Sequence, residues 1–246
     1  MMEGRKGDRH LFASYCGLFL CSARKGASPR VIISPMSLPV LYSFRRCPYA
    51  IRARVTLLYS VIPVELREVE LGAKPPELIA CSPKATVPVL LLDEAQVLEE
   101  SLDIMHWALE QNDPDGWLDT DRSAADTLIA TNDGAFKKHL DAYKYSNYHP
   151  EKTAEEHRAD GEVFLRELEL RLKQQPYLLG PKRSFADVAI APFVRQFANV
   201  DFSWFEAAAN ESLRNWLRNF TESALFLAAM RKYPAWQAGN AVAVFR

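Results

Sequence analysis

The stretch SFRRCPYAIRARVTL, Ser43 to Leu57, decides the reading of the fold. It opens at the end of an apolar run, Pro39–Phe44, suited to a buried strand. Pro48 follows, and proline suits the first helical position because its missing N–H would be unpaired there anyway. Ile51, Val55 and Leu58 then fall at helical spacing and predict one buried face. Cys47 stands at the junction, with Arg45, Arg46 and Arg52 nearby in sequence. A helix N-terminus carries roughly half a positive charge, and such settings lower a cysteine pKa to about 3.5–7.5. Cys47 is therefore expected to be a reactive, largely ionised thiol.

Working outward, Val64–Leu71 reads as a second strand with a slip of phase between Leu66 and Val69, and 75–82 as a short helix or turn. Residues 87–93 (VPVLLLD) read as a central strand, 95–100 (AQVLEE) as its hairpin partner, and 101–112 as an amphipathic helix. Strands separated by helical patterns imply a right-handed parallel crossover. A turn-rich linker, 113–121, leads to a wholly helical pattern. The expected domains are an N-terminal extension, 1–35, disordered or upstream of a true start at Met36; an α/β domain, 36–113; and an all-helical domain, 120–246.

The net charge of −1 supplies no global basic field for nucleic acid, and no apolar run reaches the length of a membrane span. The four cysteines form no CxxC and the five histidines are scattered, so no metal site is expected. Reduced thiols in the cytoplasm are the expected setting.

Two further signals carry chemistry. Pro88 cannot donate to a sheet ladder, so the N–H and C=O of Val87 become available to a peptide-like ligand added as a strand. Glu100-Ser101 opens a helix: Ser101 is a suitable N-cap whose terminus can receive a carboxylate, and Glu100 can take an ammonium.

Cys47-Pro48, Val87-Pro88 and Glu100-Ser101 together resemble the thioredoxin-like domain of cytosolic glutathione transferases, in particular the cysteine-type, omega-like, bacterial-type members. The resemblance runs through the helical half, where SFADVAIAPF (184–193) is similar to the capping segment of the family's buried helix. Ser184 and Asp187 form its capping box, contributing about 1 kcal/mol, and Pro192 is expected to kink it. The staple position before this cap holds Arg183 instead of an apolar residue.

The resemblance implies a thioredoxin-like domain followed by a helical bundle, a homodimer, and glutathione as co-substrate. It places a mixed disulfide on Cys47, the tripeptide backbone on Val87 beside Pro88, and the γ-glutamyl head on Glu100 and Ser101. Lys74, in LGAKP, would face the glycine carboxylate. Phe44, Tyr49, Tyr143 and Trp204 are candidates to line the second-substrate pocket. Ala50 stands where a dithiol glutaredoxin keeps a second cysteine, and Ala85 where a loop glycine is usual. Thiol transfer to small oxidised substrates is the implied activity. Conjugation to an electrophile, helped by the hydroxyl of Tyr42 or Ser43, stays open. So does a non-enzymatic interaction module like stringent starvation protein A.

Overall fold

The computed structural model describes residues 38–93 and 96–246; the expected N-terminal extension lies outside them. The first half is β1 (Val40–Ser43), α1 (Pro48–Tyr59), β2 (Val64–Glu68), α2 (Pro76–Cys81), β3 (Val89–Leu91), β4 (Val97–Leu98) and α3 (Ser101–Gln111). β1 and β2 run parallel across the α1 crossover, with Leu41 opposite Leu66, while β3 lies antiparallel to β1 and β4 antiparallel to β3. β2 ends at Glu68, just where the alternation slips. β3 starts one residue after Pro88, shorter than the sequence suggests, because proline has no N–H for the ladder.

The second half comprises α4 (Arg122–Thr131), α5 (Lys137–Lys144), α6 (Ala154–Leu172), α7 (Phe185–Ala198), α8 (Phe202–Ala208), α9 (Glu211–Thr221) and α10 (Ala224–Ala229). A π-helical turn, Asn132–Phe136, joins α4 to α5. α7 is the core of this half: from Phe185 to Val194 every residue is buried, and Pro192 lies within the one continuous helix. No helix among the described residues is long and apolar enough to cross a membrane.

The capping box at α7 forms and is more deeply embedded than local sequence indicates. Asp187 is buried and accepts from the N–H and hydroxyl of Ser184 at 2.8 and 2.7 Å. It also accepts from the Leu178 N–H at 3.0 Å and the Trp216 indole at 2.8 Å. Burial pushes its carboxyl above the usual range, against these four donors. Asp187→Ala leaves the donors unpaired in the core, at about 1–3 kcal/mol each if unrelieved. A loss of at least about 3 kcal/mol in urea unfolding is expected; a loss under 1 kcal/mol would show that water replaces the carboxylate.

One element falls outside the all-helical reading of 120–246. β5 (Val244–Phe245) pairs antiparallel with β2, giving the order β4-β3-β1-β2-β5. The returning chain covers the β2 edge, an edge that would otherwise expose unpaired backbone groups. Leu66 N–H donates to the Ala243 carbonyl, and Trp236 N–H to the Glu68 carbonyl, both at 2.8 Å.

α1 is buried on nearly all sides, whereas its sequence predicts one buried face. Ala53 and Leu57 pack with the sheet; Ile51 and Val55 join the core of the helical half. Arg52 and Arg54 are therefore fully buried. Arg54 donates to the Ala229 carbonyl at the end of α10 (2.7 Å), to the Arg231 carbonyl (3.1 Å) and to Glu68 (2.9 Å). Helix C-termini leave carbonyls without intrahelical partners, and a guanidinium satisfies them.

Candidate active site

Cys47 occupies the N-cap position of α1, in extended backbone, with Pro48 at the first helical position. Its N–H donates to the Phe44 carbonyl at 2.9 Å, which fixes the turn out of β1. The half-buried thiol lies 3.7 Å from the Val87 carbonyl and donates to it. The Val87–Pro88 peptide bond is cis. Val87 lies outside the sheet ladder, since β3 begins at Val89. Nearby, Ala85 has a φ of +49°, the left-handed region that glycine enters without penalty, so the usual glycine's backbone conformation is kept without the glycine.

The charge around Cys47 differs from the expectation of an ionised thiol. Burial pushes the thiol above its ordinary value. The amides of Ala50 and Tyr49, then Lys137 and Arg52, pull the other way and do not overcome it. Of the three arginines that suggested an ionised thiol, Arg52 is held in an ion pair. Arg52 forms a bidentate pair with Asp133 of the π-helical turn at 2.5 and 2.8 Å, and donates to the Ala189 carbonyl at 2.7 Å. Arg46 is exposed, lying over the Phe44 ring. Arg45 is half-buried, and its backbone N–H donates to Glu68 at 2.7 Å. Burial therefore works against ionisation of the resting thiol.

Glu100, not Ser101, takes the N-cap position of α3, and Ser101 is the first helical residue. The Ser101 hydroxyl is buried and accepts from Arg52 at 3.3 Å, so it is already held by the buried arginine. Glu100 is exposed and pairs with Lys84 at 2.7 Å. Lys84 precedes Val87 by three residues and carried no motif in the sequence. Lys74 is exposed and is not among the residues lining the cleft beside Cys47.

That cleft, of about 640 Å³, runs between Cys47 and the helical half. Phe44 and Tyr49 line it, as expected, together with Leu71, Tyr145 and Val200. Tyr143 and Trp204 do not. Tyr143 is buried against Phe197, and Trp204 packs edge-on to the same ring beneath Arg158, so both pack with the helical core. The cleft's charged lining, Arg46, Lys137, Asp141, Lys144 and Arg195, was missed except for Arg46. A basic run at 137–144 is visible in the sequence, but the faces of α5 and α7 that turn to the cleft are not.

Neither hydroxyl considered for conjugation reaches this cleft. Ser43 is buried and accepts from Arg54 at 3.4 Å; Tyr42 is buried and accepts from Arg67 at 2.6 Å. Tyr49 does line it, but burial, with Asp133 nearby, pushes its phenol up to about 12. Cys81 donates to the Leu78 carbonyl at 3.4 Å on α2, where burial likewise pushes its thiol up.

Comparison with known proteins agrees with this architecture. Residues 41–117 match the model of the glutathione S-transferase N-terminal domain, and 151–219 that of the glutathione S-transferase C-terminal domain. The chain is 24% identical over 196 residues to the probable glutathione S-transferase DHAR4 of Arabidopsis thaliana, covering 77% of this chain and 84% of that protein. It is 30% identical over 101 residues to the probable chloroplastic glutathione S-transferase DHAR2 of Oryza sativa subsp. japonica, a match spanning 41% of this chain and only 36% of that one. Among solved structures, glutathione transferase Omega 3C from Trametes versicolor superposes with a TM-score of 0.66 at 22% identity, over 79% of this chain and 89% of that one. Poplar glutathione transferase F1 gives 0.66 at 18% identity, over 79% and 97%. With a thioredoxin-like sheet and a helical half each matched by its own domain model, the chain belongs to the glutathione S-transferase family.

Proposed function

We propose that this chain is a glutathione-dependent thiol transferase in which Cys47 carries the glutathionyl group. The observation behind the reading is the contact between the Cys47 thiol and the Val87 carbonyl, at the mouth of a cleft between the two halves. Glutathione lies along Val87, its γ-glutamyl head toward Ser101 and Glu100, and Lys84 exchanges its hold on Glu100 for the incoming ammonium. Lys74, exposed beyond the cleft, is available to the glycine carboxylate.

The same contact bears on how the buried thiol becomes a nucleophile. A hydrogen bond made by the protonated form opposes ionisation. When a tripeptide N–H takes the Val87 carbonyl, the thiol loses that acceptor. The Ala50 and Tyr49 amides, with Lys137 and Arg52, then act against burial without that contact beside it. The thiolate then attacks the glutathionyl sulfur of a mixed disulfide RS–SG. A Cys47–SG bond forms, the RS–SG bond breaks, and RS⁻ leaves to take a proton from water. A second glutathione thiolate attacks the same glutathionyl sulfur, giving oxidised glutathione and restoring Cys47. Ala50 offers no second thiol, so the resolving sulfur comes from solution.

The test is the pH dependence of iodoacetamide alkylation, read by mass spectrometry on the Cys47 peptide. Without ligand the rate should rise with pH to a midpoint above the ordinary thiol value. With saturating S-methylglutathione, which cannot itself be alkylated, the midpoint should move down. An unchanged midpoint, or absence of binding, overturns the proposed role of the tripeptide.

A further inference from the structure

The cleft beside Cys47 has a charge pattern that the chain as a whole does not. Net charge over 246 residues is −1, yet four cations, Arg46, Lys137, Lys144 and Arg195, line this one cavity against a single carboxylate, Asp141. Asp141 is paired with Lys137. Among the described residues, the other three cations have no acidic partner within ion-pair distance. Arg195 is half-buried beside the Phe226 ring, Lys144 lies over Tyr145, and Arg46 lies over Phe44. None donates a side-chain hydrogen bond to a carboxylate of the described residues. A half-buried guanidinium without a counter-charge is costly, and burial together with the nearby Arg45 pushes its pKa down. Phe44, Tyr49, Leu71, Tyr145 and Val200 supply an apolar frame, and about 640 Å³ suits a small organic molecule.

We infer that this cleft selects an anionic second substrate: a small carboxylate-bearing molecule whose acid group sits among Arg195, Lys144 and Arg46 while its body lies on Phe44 and Tyr49. The inference rests on the reading of Cys47 as the thiol-transfer nucleophile and specifies the acceptor at that site. In the exchange above, R is then an acidic thiol. Arg195 has the strongest claim to be the specificity-determining residue, because it is the least exposed of the unpaired cations and so the least screened by solvent.

The experiment compares three mixed disulfides of glutathione that differ only in the charge of the second thiol: mercaptopropionate, mercaptoethanol and cysteamine. At low ionic strength kcat/KM is expected to be about tenfold higher for the mercaptopropionate disulfide than for the cysteamine disulfide, and to converge as salt shortens the Debye length from about 10 Å at 0.1 M to about 3 Å at 1 M. In the Arg195→Gln/Lys144→Gln double variant the ratio should fall to about twofold or less. Because a ratio is read, a general loss of folded protein does not imitate the effect. Equal rates for the three, a cationic preference, or a ratio untouched in the double variant overturns the inference. So does a loss that falls wholly on KM for glutathione, since the cations would then serve the tripeptide. If none of the three disulfides turns over, the thiol-transfer reading is what has failed. The charge preference is then read from calorimetric binding of benzoate against benzyl alcohol, and equal binding overturns it.

Discussion

Cys47→Ser should reduce turnover of a glutathione mixed disulfide at least about a thousandfold, because the step it removes is covalent. The serine hydroxyl is nearly isosteric and can still donate to the Val87 carbonyl, so α1 and its cap should survive. What disappears is the sulfur that forms the Cys47–SG bond. After exposure to oxidised glutathione, the wild type should carry a glutathionyl group on the Cys47 peptide and the variant none at that position, whatever happens at Cys81. Full conjugating activity in the variant would move the chemistry to another group. The burial of Ser43 and Tyr42 and the raised phenol of Tyr49 count against that result.

A large stability effect is also expected at Asp133. Arg52 is wholly inaccessible, and Asp133, 26% exposed, is its counter-charge. Removing one partner of a buried pair costs about 3–5 kcal/mol, because the other charge is stranded. Since Asp133 keeps some contact with solvent, Asp133→Ala should cost roughly 3 kcal/mol, the lower end of that range, in urea unfolding. Restoring an apolar match, as in Arg52→Met/Asp133→Leu, should recover much of the loss. Additive losses from the two single changes would show that the pair is not coupled. The same variant bears on the site: the guanidinium that holds Asp133 also holds the Ser101 hydroxyl. Asp133→Ala should therefore also raise KM for glutathione if Ser101 receives the γ-glutamyl head.

How much of this was readable beforehand depends on the range of each interaction. The start of α1 at Cys47-Pro48, the parallel crossover and the Ser184–Asp187 cap all follow from short sequence patterns, and all are present. The resemblance built on Cys47, Val87-Pro88 and Glu100-Ser101 led to the family that the domain models match.

Sequence alone thus determined where α1 and α7 begin and which runs are apolar. Tertiary structure brought the thiol to the Val87 carbonyl, buried it, and set the character of the cleft. Arg52 finds the Ala189 carbonyl 137 residues away, and Arg54 the Ala229 carbonyl 175 residues away. No local pattern shows that a helix will be enclosed on both sides, so its arginines read as free charge until the helical half closes over them. Burial then works against the ionisation they were expected to promote, and the cations that reach the cleft come instead largely from α5 and α7.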